Sequence, residues 1–183
     1  MGRGPLAGPV VACACAVSPQ AEADILDVND SKSLSPEKRE RLFSVLSNHP
    51  GVQYAVGWVS AQEIDRINIL QATFRAMREA AEIFACSDGA LCLVDGNQLV
   101  PNLPVAMQRT VVKGDAQSMR IAAASVIAKV TRDRYMCELD AKYPGYGFAR
   151  NKGYGTQEHI EAVNSLGPCP EHRVTFLPDP KLL

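Results

Sequence analysis

Two aspartates occupy matching places in this sequence. Asp95 follows the short apolar run ALCLV (Ala90–Val94) and precedes Gly96-Asn97; Asp115 follows the apolar Thr110–Val112, with Lys113-Gly114 between. In open α/β sheets ligands gather at strand ends, where loops can reach them. Two carboxylates there have the right chemistry for Mg²⁺ or Mn²⁺, which prefer oxygen ligands. Asp-Gly pairs also make ordinary turns, and the spacing leaves both readings open. Asp115 lies just before a long helical stretch, whose dipole favours an ionised carboxylate whether or not it binds metal.

A second group could grip a sugar or phosphate. Gly2-Arg3-Gly4 puts an arginine between two residues that let backbone N–H groups approach a ligand closely. Lys152-Gly153-Tyr154-Gly155 holds a tyrosine between glycines, where its ring can stack on a sugar or base. Each is also a common loop pattern, and neither decides the matter alone.

The elements that must carry these residues are legible in outline. Pro9–Val17, PVVACACAV, reads as a strand buried on both faces. Ser35-Pro36-Glu37 starts a helix carrying Leu42, Val45 and Leu46, which stops near His49-Pro50-Gly51. Tyr54–Ser60 alternates as a strand, and a helical stretch then runs to Phe84, with Leu70, Phe74, Met77, Ala81 and Phe84 as one buried stripe. A long helix is predicted from about Ser118 to Lys142. The Gly- and aromatic-rich residues 145–155 follow, then a last helix capped by Thr156 and closed by Gly167, with Ile160, Val163 and Leu166 on one side. The Pro-rich tail is expected to lie over the surface. Strands mixed with helices give an α/β layer fold, read as a single domain over 1–183, with about 145–183 as a C-terminal loop and helix segment.

Composition bounds the rest. The 183 residues are 46% hydrophobic and 21% charged, as in a soluble globular chain. No apolar run reaches the ~18 residues of a membrane span, and no signal-peptide pattern opens the chain, so a cytoplasmic location is expected. The six cysteines include no CxxC and read as reduced, mostly buried thiols. The net charge of −1 argues against a uniformly basic nucleic-acid binder, but residues 104–152 hold 9 basic and 4 acidic side chains, a net +5. One local anionic contact fits that segment, as does a solvated helix face.

Nine segments appear in order: GRGPLAGPVVA, NDSKSLSPEKRE, DRINILQAT, LVDGN, VVKGD, IAAASVIAKVTRD, YPGYGF, KGYGT and LGPCPEHR. Together, from Gly2 to about Phe176, they resemble the bacterial type 2 ribonuclease H family, ribonuclease HII. The resemblance implies a ribonuclease H-like mixed sheet flanked by helices. It implies an endonuclease that cleaves the RNA strand of RNA–DNA hybrids and incises 5′ of single ribonucleotides in duplex DNA, leaving a 3′-hydroxyl and a 5′-phosphate. It implies a two-ion Mn²⁺ or Mg²⁺ site in which Asp95 and Asp115 match the third and fourth of four carboxylates. Gly2, Arg3 and Gly4 match the loop that contacts the ribose 2′-hydroxyl, the group that distinguishes RNA from DNA. Tyr154 matches the tyrosine that packs on the following deoxyribose. Lys32, Asn68, Lys113, Lys129 and Arg132 are expected phosphate contacts. A monomer with an RNA–DNA hybrid or ribonucleotide-containing duplex as its partner, and no membrane, completes the expectation.

The family's first motif reads Asp-Glu-Ala-Gly-Arg-Gly, and here Met1 stands at the place of the Ala. The first central strand and its two carboxylates are therefore expected to be missing from this sequence. Two carboxylates supply at most −2 against the +4 of two divalent ions, so weak metal binding and poor cleavage are expected. A catalytically inactive hybrid-binding module is the alternative. A small-molecule nucleotide-binding protein is disfavoured, because neither GxxxxGK[ST] nor a GxGxxG after a strand is present.

Overall fold

The alternation of strands and helices is present in the computed structural model, which describes residues 1–25, 34–84 and 90–177. The chain divides into two compact units: Met1–Val11 with Trp58–Thr73 and Thr131–Leu183, and Ala12–Gly57 with Phe74–Val130. The α/β expectation holds, with the strands forming two two-stranded sheets among the described residues.

β1 (Val10–Val17) pairs with β2 (Val52–Val59). The apolar run of β1 suggested burial on both faces. Val10, Val11 and Val17 are buried, but Ala12–Cys15 are half-buried and Ala16 is exposed, since in a two-stranded sheet the middle of β1 is covered only in part. Between these strands lie α1 (Pro19–Asp24), which the sequence reading lacked, and α2 (Pro36–Asn48). Both start by the same device: Ser18 Oγ accepts the Ala21 N–H at 3.2 Å and Ser35 Oγ the Lys38 N–H at 3.3 Å, with proline as the first helical residue. Leu42 and Leu46 of α2 are buried while Val45 is exposed.

The expected helical stretch after β2 is two helices, α3 (Ala61–Ile67) and α4 (Ile69–Glu82). Asn68 separates them at φ 66°, and its Oδ1 accepts the Leu70 and Gln71 N–H groups, so it caps α4. The fully buried residues of α4 are Ala72, Ala76 and Ala80, whereas Leu70, Phe74, Met77, Ala81 and Phe84 are half-buried. Small residues face inward because the backbones come close: a Cβ on Gly57 of β2 would lie 2.0 Å from the Ala76 carbonyl oxygen.

Next come β3 (Cys92–Asp95), β4 (Gln108–Val111), the single turn α5 (Gly114–Gln117) and α6 (Met119–Lys142). The alanine-rich first half of α6 supplies Ala122, Ala123, Val126 and Ile127 to a core with Val17, Ala21, Ile25, Leu42, Leu46 and Val52. The first unit has its own core, of Ala7, Met136, Leu139, Tyr146, Phe148 and Val163. It includes α7 (Phe148–Asn151) and α8 (Gln157–Leu166). On α8, Val163 is buried as expected, but Leu166 is exposed and the inward residue at the start is His159.

The tail does not simply lie over the surface. Gly8 N–H donates to the Glu171 carbonyl and Arg173 N–H to that of Leu6, both at 2.8 Å, and Ala7 and His172 form an antiparallel bridge. Asp65 of α3 caps the turn that follows, accepting the Val174 and Thr175 N–H groups. Among the described residues no helix is long and apolar enough to cross a membrane.

Candidate active site

The carboxylates belong to the second unit. β3 and β4 pair in parallel, with Asp95 opposite Val111, so Asp95 ends one strand as the chain leaves the other toward Asp115. The turn between is built from Lys113 in the left-handed region (φ 54°) and Gly114. The Gly114 N–H donates to Asp95 Oδ1 at 2.9 Å, which joins Asp95 to the residue preceding Asp115. A Cβ at Gly114 would stand 2.5 Å from Ile121 Cδ1 and 3.3 Å from Asp95 Oδ1, so a larger residue would have to displace the Ile121 side chain. Asp95 is exposed, whereas Asp115 is only 5% exposed.

Asp115 does not lie at the start of the long helix, contrary to expectation. Asp115 sits in the four-residue α5, and extended Ser118 (φ −134°, ψ 117°) separates that turn from α6. Its position is set instead by the β4–α5 turn, where the Ser118 N–H returns to the Gly114 carbonyl at 2.8 Å. Gln108 was not anticipated. Buried on β4, it accepts the Val100 N–H at 2.8 Å and donates to the Val100 and Leu103 carbonyls, which holds the loop leaving Asp95.

Lys113 is exposed beside Asp115, and Lys129 is half-buried on α6. Lys32 lies outside the described residues. Among the described residues no group of three or more His, Cys, Asp or Glu stands ready to hold a metal ion. The chemistry of Asp95 and Asp115, one carboxylate at the end of β3 and one in the turn that follows β4, still fits one hard divalent cation whose other ligands come from water or substrate.

The remaining candidates belong to the first unit. Arg3 and Gly4 are exposed, and a Cβ on Gly4 would lie 4.0 Å from Tyr154 Cε1, so the Gly-Arg-Gly loop adjoins the tyrosine ring. Tyr154 is 45% exposed. The two segments are tied by the Gly153 carbonyl, which accepts the Leu6 N–H at 2.8 Å. Asn68 is exposed, with its oxygen committed to capping α4, so the amide nitrogen is its remaining donor.

Arg132 departs from expectation. It is 1% exposed, and its guanidinium donates to the carbonyls of Pro9 (3.0 Å), Lys152 (2.9 Å) and Ala7 (3.1 Å). Those donors serve the chain's own backbone, so Arg132 supports the loop rather than reaching for a phosphate. Arg173, missed in the sequence, is likewise buried, with bonds to Gly8, Arg3 and Gly2. Burial, and then the Arg132 charge, lowers the Arg173 pKa; carbonyl oxygens around a guanidinium keep it protonated all the same.

Two histidines were also missed. His159 Nε2 and His172 Nε2 are 3.0 Å apart and buried, and His159 Nδ1 stands 2.9 Å from the Tyr154 carbonyl oxygen. Burial lowers both pKa values, His172 to about 4 with the neighbouring His159 adding to the effect. The described cysteines are less buried than expected: Cys13, Cys15, Cys92 and Cys169 are half-buried and Cys137 is exposed, while Cys86 lies outside the described residues. Burial pushes the Cys15 thiol up to about 11 and Cys13 in the same direction, which makes neither a nucleophile.

The ribonuclease HII family model matches residues 1–177. A ribonuclease HII of Geobacter metallireducens is 54% identical over 178 residues, spanning 96% of this chain and 79% of that protein. The crystal structure of ribonuclease H2 from Pyrococcus horikoshii OT3 superposes with a TM-score of 0.73 at 28% identity, covering 100% of this chain and 93% of that one. A Bst-RNase HIII structure in complex with Mn²⁺ shares the fold, with a TM-score of 0.69 at 19% identity over 90% of this chain and 60% of that one. A match of this extent, on the fold these structures share, places the chain in the ribonuclease HII family, and it is a ribonuclease H enzyme.

Proposed function

We propose that the chain is a metal-dependent endonuclease that cuts the RNA strand of RNA–DNA hybrids and incises 5′ of single ribonucleotides in duplex DNA. The observation that carries this reading is the bond from the Gly114 N–H to Asp95 Oδ1, which joins one strand-end carboxylate to the turn bearing the other. It leaves Asp95 Oδ2 as the oxygen that can take a cation. A divalent ion held by Asp95 and Asp115 would supply activation of the attacking water and neutralisation of the leaving 3′-oxygen. The Mn²⁺ in the Bst-RNase HIII structure supports Mn²⁺ as a suitable ion.

The chain's own residues divide the remaining work. Gly114 orients Asp95, and Lys113 adds positive charge beside the turn. The Gly2–Arg3–Gly4 loop offers donors to the ribose 2′-hydroxyl, and the exposed Tyr154 ring next to it offers a face to the following deoxyribose. Together they would read an RNA-to-DNA step.

Two carboxylates balance one divalent cation rather than two. We therefore expect this sequence to bind Mn²⁺ weakly and turn over slowly. The second reading is a hybrid-binding module without catalysis. Cleavage and affinity measured side by side, on a duplex with one embedded ribonucleotide and with Mn²⁺ and Mg²⁺ in turn, separate the two. Metal-dependent products ending in a 3′-hydroxyl and a 5′-phosphate support the nuclease. Tight binding with no product at any metal concentration supports the module.

A further inference from the structure

Under the exposed Arg3 and Gly4 lie two buried guanidinium groups whose bonds converge on residues 2–9. Arg173 donates to the carbonyl oxygens of Gly2 (2.7 Å), Arg3 (3.1 Å) and Gly8 (2.7 and 2.9 Å). Arg132 donates to those of Ala7 and Pro9 and, on the other side, to that of Lys152, next to Gly153-Tyr154. Gly2, at φ 79°, lets the loop settle on this pair, because a Cβ there would lie 2.2 Å from Arg132 Nε.

These bonds fix where the loop's amides point. In a trans peptide the carbonyl and the next N–H lie on opposite sides of the plane, and no peptide bond here is cis. With the Gly2 and Arg3 carbonyls drawn inward to Arg173, the N–H groups of Arg3 and Gly4 turn outward, where both residues are exposed. Two adjacent N–H groups over two buried cations make a small concave donor set suited to an electron-rich oxygen. The planar guanidinium fork spreads its donors over carbonyls that lie apart, whereas the three donors of a lysine ammonium radiate from one nitrogen.

We propose that Arg173 is a positioning residue for ribose recognition, presetting the Arg3 and Gly4 amides to receive the 2′-oxygen, with Arg132 keeping the loop in register with Tyr154. The inference rests on the reading of this loop as the ribose contact. The test is binding of the full chain, by fluorescence anisotropy without divalent metal, to two duplexes of one sequence, all-DNA or with one ribonucleotide. Wild type is expected to bind the ribonucleotide duplex more tightly. Arg173→Lys, which keeps the charge, is expected to lose about tenfold in that preference, the worth of one hydrogen bond. Its affinity for the all-DNA duplex should stay within about twofold, because phosphate contacts dominate there. A folded Arg173→Lys chain with the wild-type preference, or with equal losses on both duplexes, overturns the inference. A wild-type chain with no preference overturns the ribose reading itself, and this inference with it. Should the lysine variant lack a cooperative thermal transition, Arg132→Lys reads the same ratio, with a smaller loss expected and an unchanged ratio again counting against the proposal.

Discussion

Asp95 Oδ1 holds the Gly114 amide, and on the proposed reading Oδ2 would take a cation. The two roles separate in Asp95→Asn, which keeps an oxygen acceptor and removes the charge. Loss of a supporting partner costs a metal site about 10–100-fold in affinity, and loss of a ligand should cost at least as much. Mn²⁺ titration followed by electron paramagnetic resonance should show that drop, with cleavage falling alongside. The thermal midpoint should move by no more than about 2 °C, since the residue is exposed. Gly114→Ala should behave in the opposite way. Its Cβ would collide with Ile121 Cδ1 and crowd Asp95 Oδ1, so urea unfolding should report a loss of about 1–3 kcal/mol. Mn²⁺ affinity should fall with it although no ligand has changed.

At the scale of elements, α8 and the C-terminal segment meet through His159 and His172. Two Nε2 atoms 3.0 Å apart need one proton between them, so one ring donates and the other accepts. Adding protons to both rings puts two positive charges in contact. The unfolded chain takes up protons near the ordinary histidine pKa of about 6.5, while the folded state resists, to about 4 for His172. Stability is therefore whole above pH 6.5 and declines as the pH falls toward 4, by up to about 3 kcal/mol from His172. Denaturant melts between pH 4 and 8 should show this slope, and it should flatten in His172→Gln, at some cost in stability at neutral pH. The contact of β2 with α4 gives a second test. Gly57→Ala would drive a Cβ into the Ala76 carbonyl, so the melt should lose about 3 kcal/mol or more.

For the whole molecule, net charge is a poor guide to partners. The chain carries −1 overall, yet residues 104–152 carry 9 basic against 4 acidic side chains. Arg132 turns inward, so the nucleic acid would meet others of that segment, including Lys113 and Lys129. If about four phosphates are contacted, affinity for a hybrid duplex should fall roughly 100-fold between 50 and 200 mM salt. Anisotropy across that range checks it, and an affinity that does not vary with salt would remove the basic segment from the interface.

The sequence by itself determined what rests on local signals. Ser35 with Pro36, Thr156 and Gly167 marked helix ends that the structure keeps, because caps and left-handed turns involve neighbours three or four residues away. Asp95 stands at a strand end and Asp115 in the turn after the next strand because apolar runs next to glycine are legible without a fold. Only the tertiary structure decided which way the arginines face. Arg132 bonds to a carbonyl 123 residues away, and Arg173 to carbonyls 165 and 171 residues away, and no window of sequence contains those partners. The same holds for the inward His159 and for the alanine face of α4, where the closeness of another backbone, rather than the hydrophobicity of the helix, chose the buried residues. A charged side chain read alone looks like a solvent or phosphate contact; it becomes a support for a loop when carbonyls folded around it take the place of water.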